Sequence, residues 1–69
     1  MDITQEKYKK ILEICMEKKM SLYTIQQVIN LSLFPEAEKI ANYLMEKIQK
    51  MSEEQLKKEI GKIIRQQKN

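Results

Sequence analysis

Apolar residues recur at helical spacing along most of this chain, but residues 20–35 stand apart because none of them is charged. Elsewhere charged side chains return at short intervals. The pattern predicts an all-α, compact four-helix domain, with helices at about 3–19, 22–31, 35–51 and 53–67.

The first helix opens with Asp2 as N-cap and Gln5 three residues on, the spacing of a capping box. Its apolar positions are Tyr8, Ile11, Leu12, Ile14, Cys15 and Met16. At 100° per residue these cover an arc of about 200°, wider than the stripe of an ordinary surface helix. Such a helix should touch more than one neighbour, within the fold or across a dimer. Cys15 sits mid-stripe and reads as a buried, inert thiol, since no His or Arg lies near it in sequence to lower its pKa.

Ser21 is the expected N-cap of the second helix. Leu22, Ile25, Val28, Ile29 and Ser32 fall on one helical face, whereas a strand reading finds no better than chance alternation. The other face carries Tyr23, Gln26, Gln27 and Asn30, polar but uncharged. Two readings stand side by side. It is an ordinary solvated face, or it is a contact surface, because interface cores lose charge and gain aromatics.

Leu31, Ser32, Leu33 and Phe34 link to the third helix, where Pro35 suits the first helical position and Glu36 and Glu38 favour the positive end of the helix dipole. Ala37, Ile40, Ala41, Leu44, Ile48 and Met51 make its stripe, and the two alanines would let another helix approach closely. Tyr43 falls on a flank, where its hydroxyl can stay wet. Ser52 and Gln55 form a second capping box ahead of the fourth helix, whose stripe is Leu56, Ile60, Ile63 and Ile64. Lys58, Lys62 and Arg65 line the opposite side. Gly61 interrupts that helix at a cost of about 1 kcal/mol relative to Ala, which suggests a close contact or a bend. Residues 66–69 should fray.

The 69 residues make a single domain, 1–69. A chain this small buries only about 60% of its unfolded surface, so it needs reinforcement. The lone Cys15 cannot close an internal disulfide, and without His a Cys/His zinc site cannot form. Regular helix packing, self-association or both remain, and a homodimer is one expectation. No cofactor and no metal is expected. Met1 to Lys10 is too charged for a signal peptide, and residues 20–35 are too short and polar to span a bilayer. The expectation is a soluble, cytoplasmic protein that keeps clear of membranes. Abundant Lys and Ile point to an AT-rich genome, with bacterial or phage regulators as the associational comparison.

Charge narrows the functional classes. Residues 1–45 balance, so the whole net charge of +3 lies in residues 46–69. Lysine supplies nearly all of it, and lysine meets phosphates as a point charge instead of reading base edges. The inventory argues against an enzyme. There is no His to act as a base, no Gly-rich phosphate loop and no small-molecule site, while the glutamates at helix starts are explained by capping.

Two binding readings follow. The first is a small protein-binding module, an inhibitor, adaptor or regulator, that uses Tyr23, Gln26, Gln27, Asn30 and Phe34. Met16, Met20 and Met45, at or beyond the stripe edges, add apolar surface for a protein partner or a second copy. The second is a helix-turn-helix-like DNA-binding regulator that contacts phosphates through Lys57, Lys58, Lys62 and Arg65. Glu36 and Glu38 sit where its recognition helix should meet DNA, which weakens it.

Overall fold

The serine caps expected ahead of the second and fourth helices form, while the other helix ends are closed in ways that the sequence pattern does not announce. The structure, a computed structural model, describes residues 3–67. Among these run α1 (Ile3–Glu17), α2 (Leu22–Leu31), α3 (Ala37–Lys47), a 3₁₀ turn (Ile48–Lys50) and α4 (Glu53–Gln67), with no strand. The Asp2 cap falls outside the described residues. So do Lys68 and Asn69 of the tail, whereas Gln66 and Gln67 form the last residues of α4.

Ser21 caps α2 as expected, its hydroxyl accepting the Thr24 N–H at 3.4 Å. The second capping box is complete. The Ser52 hydroxyl accepts the Gln55 N–H at 3.2 Å, and the Gln55 side-chain oxygen accepts the Ser52 N–H at 3.0 Å.

Three helix ends differ from the reading. α1 stops at Glu17 because the chain reverses through Lys19, which takes the left-handed φ of 59°. The Met20 N–H returns to the Cys15 carbonyl and the Lys19 N–H to the Met16 carbonyl, each at 3.0 Å. This is a Schellman closure, and it draws Met20 into the core beside Cys15 instead of leaving it at the stripe edge. Pro35 does not open α3. It occupies the second position of a turn in which the Ala37 N–H reaches the Phe34 carbonyl at 3.1 Å, so the helix starts at Ala37. At its far end α3 tightens into the 3₁₀ turn, and Met51 leaves in an extended conformation. There the Lys18 ammonium donates to the carbonyls of Gln49 at 2.7 Å and Met51 at 2.8 Å. A side chain from the end of α1 thus satisfies acceptors that a continuing helix would have used.

α1 packs against α2, α3 and the 3₁₀ turn, in keeping with its wide apolar arc. The core joins Tyr8, Ile11 and Cys15 of α1 to the whole expected stripe of α3 and to Leu56, Ile60 and Ile63 of α4. The Tyr8 hydroxyl donates to the Ala37 carbonyl at 3.0 Å, and burial pushes its pKa up to about 12. The Cα radius of gyration is 11.1 Å, matching the ~11 Å expected for a closed domain of this length. No buried side-chain nitrogen or oxygen among the described residues lacks a hydrogen-bond partner.

The left-handed Lys19 has no steric licence for its φ, so Lys19→Gly should stabilise the fold by about 0.5–1 kcal/mol, read as a Tm rise of several degrees. An unchanged or lower Tm would show that the Lys19 side chain offsets its backbone strain.

Candidate functional site

The rotation of α2 about its axis determines which of its side chains meet solvent. Apolar spacing alone turns Leu22, Ile25, Val28, Ile29 and Ser32 inward. The structure turns the helix by roughly a quarter of a revolution from that setting, so that Thr24, Val28 and Leu31 are the fully buried positions. Thr24 is drawn in by Glu53 at the first turn of α4. One oxygen of that carboxylate accepts the Thr24 hydroxyl at 2.5 Å, the Ser21 hydroxyl at 2.7 Å and the Ser21 N–H at 3.0 Å. Both hydroxyl protons point at Glu53, so the 3.2 Å approach of the two hydroxyl oxygens is only a contact.

The correction matters for the surface. Leu22 is 83% exposed, Leu33 80% and Ile29 39%, although the apolar pattern places Leu22 and Ile29 in the core. Leu22, Gln26, Ile29 and Leu33 follow one another at helical intervals along one side. Tyr23, 66% exposed, borders them. Gln26 donates to Asn30 at 3.2 Å along the same helix, which leaves the face uncharged and partly self-satisfied. Leu33 is held just past the helix end by its own N–H bonded to the Asn30 carbonyl at 3.1 Å.

Of the expected protein-binding residues, Tyr23, Gln26 and Asn30 are exposed. Phe34 packs against the core, half-buried. Gln27 turns to the side and, with Tyr23, Lys57, Ile60, Gly61 and Ile64, lines a groove of about 280 Å³ between α2 and α4. Gly61 is not needed there for close packing, and α4 continues through it as one helix. A Cβ would meet only the Arg65 guanidinium at 3.6 Å.

The expected basic row divides. Lys58, Lys62 and Arg65 share the outward side of α4, whereas Lys57 belongs to the α2–α4 groove. Lys62 faces Glu59 at 3.9 Å. The other oxygen of Glu59 accepts the Tyr43 hydroxyl at 2.8 Å, a bond that raises the tyrosine pKa, and the Lys47 ammonium lies 4.9 Å from the centre of the Tyr43 ring.

Cys15 is fully buried, and burial pushes its thiol pKa up, with Lys18 offsetting part of the shift. No helix among the described residues is long and apolar enough to cross a membrane. Comparison with known proteins gives no match to a family model, a curated protein or a solved structure.

Leu22 and Ile29 escaped sequence reasoning because leucine and isoleucine at helical spacing normally mean core, and Leu33 because it reads as part of the link. The signal that could have found them is the pair Ser21 and Thr24, two hydroxyls three residues apart at a helix start, able to share one carboxylate.

The hydrogen bonds from Thr24 and then Ser21 lower the Glu53 pKa from 4.5 to about 2. A depressed acid contributes stability that is fully present above its unfolded-state value and is lost as pH falls through its folded value. The stability gap between wild type and Glu53→Gln, read from urea midpoints, should therefore hold above about pH 5 and close as pH falls from 4.5 towards 2. A gap that stays constant over that window would mean that the ionised carboxylate is not what ties α2 to α4.

Proposed function

We propose that this chain is a non-enzymatic protein-binding module, acting as an inhibitor, adaptor or regulator, with the outer side of α2 as its docking face. The observation that carries the reading is the exposure of Leu22 on a helix with no charge, and of Leu33 just past its end. The whole stripe of α3 and Leu56, Ile60 and Ile63 of α4 are buried, and on α1 Ile3 and Met16 are exposed as well.

Anchors at successive helical turns are what an amphipathic helix lays into a groove on another protein. Leucine and isoleucine supply the apolar contact, Tyr23 adds aromatic surface at the edge, and Gln26 with Asn30 can trade their mutual bond for one to the partner. An uncharged face also meets a second copy of itself without like-charge repulsion, so self-association uses the same surface.

The helix-turn-helix reading has less support. The link between α2 and α3 spans residues 32–36, longer than the usual 3–4-residue turn. Glu36 and Glu38 are exposed at the start of α3, and Glu38 is occupied by Lys7 at 3.4 Å.

A photo-reactive residue placed at Gln26 tests the proposal in cells and with the purified chain. Adduct formation is expected, to another protein or to a second copy, and Leu22→Asp with Leu33→Asp should abolish it while the helical circular dichroism is kept. Absence of any adduct, or adducts indifferent to the two substitutions, overturns the proposal.

A further inference from the structure

The charge excess of this chain is gathered by the fold into a groove that no single helix contains. The end of α3 and the 3₁₀ turn supply Lys47 and Lys50, α4 supplies Lys58 and Lys62, and the four surround a space of about 350 Å³. Two carboxylates share it, Glu46 and Glu59. Glu59 is already engaged by the Tyr43 hydroxyl and faces Lys62. Four ammonium groups less two carboxylates leave +2 in the groove, against +3 for the whole chain. Among the described residues neither Lys50 nor Lys58 has an ion-pair partner. Arg65 continues the charge along the same side of α4.

The residue types restrict the ligand. Ammonium groups attract anions as point charges and lack the planar fork that reads base edges. No aromatic ring lines the groove, so it offers no platform for stacking unpaired bases. Protein interfaces are depleted in lysine, which sets a four-lysine groove apart from the apolar face of α2. We propose that this groove holds the phosphodiester backbone of double-stranded nucleic acid, without sequence preference. The groove shares no residue with the α2 face, so either surface can fail without the other.

Fluorescence anisotropy of a labelled random-sequence DNA duplex over a salt series tests this. Binding at physiological salt should have a Kd of about 10⁻⁴ to 10⁻⁶ M and tighten at low salt, with a log–log salt slope of roughly −0.9 per phosphate contacted, hence about −3.6 for four lysines. Lys50→Gln with Lys58→Gln should reduce the slope by about 1.8. Lys9→Gln with Lys10→Gln, which removes the same charge from the exposed side of α1, should leave it nearly unchanged. Should the first pair disturb the circular dichroism, Lys47→Gln with Lys62→Gln serves in its place. No binding at about 50 mM salt overturns the proposal, as does an equal loss with both pairs. Displacement of the duplex by polyglutamate at equal charge concentration also overturns it, by showing that the groove takes acidic polypeptide as readily.

Discussion

A single carboxylate oxygen holds the two halves of this fold in register. Glu53 stands at the first turn of α4 and receives the N–H and hydroxyl of Ser21 and the hydroxyl of Thr24, all from the start of α2. Both helices present their positive ends there, so a negative charge shared between them is favoured twice. The bonds also set the angle of α2 about its own axis. Once Thr24 faces Glu53, Val28 and Leu31 must follow it inward at successive turns, and Leu22, Ile29 and Leu33 must face out. The candidate docking face is thus a consequence of a polar contact on the other side of the helix.

A similar economy holds at the opposite helix ends. The C-terminus of α1 closes through the left-handed Lys19, which costs backbone strain but puts Met20 into the core. Just before it, Lys18 reaches across to the carbonyls of Gln49 and Met51. Its three ammonium donors match acceptors that the tightening of α3 has left free. A 69-residue chain without a disulfide gains order from such charged ties across helix ends, where each also satisfies a backbone group. The apolar core supplies the bulk of the driving force and the ties select one arrangement of it.

The surface is segregated in kind. The outer side of α2 is uncharged and exposes Leu22 and Ile29, while Lys47, Lys50, Lys58 and Lys62 collect around a separate groove. A face without charge tolerates the desolvation that protein docking demands, and solvated ammonium groups retain the long-range attraction that a polyanion needs.

Helix existence and most of the core were legible in the sequence. The stripe of α3 and the three inner positions of α4 were read in full, and the caps at Ser21 and Ser52 form as their residue types require, because periodicity and capping are local properties. The ends of α1 and α3 were not legible. Lys19 gives no glycine-like signal of a left-handed residue, and the acceptors that Lys18 finds are more than thirty positions away. The α2 face was misread for the same kind of reason. Apolar spacing weighs leucine against threonine by hydropathy, and only the approach of Glu53 from a distant part of the chain makes a threonine worth burying. The basic row of α4 was visible, yet its division was not, since Lys57 and Lys58 are neighbours in sequence and part company only when α2 packs on one flank and the end of α3 on the other. What the chain alone determined is the set of helices and their apolar stripes. What the tertiary structure decided is how α2 is turned and which charges meet, because both depend on hydrogen bonds and packing between residues far apart in sequence.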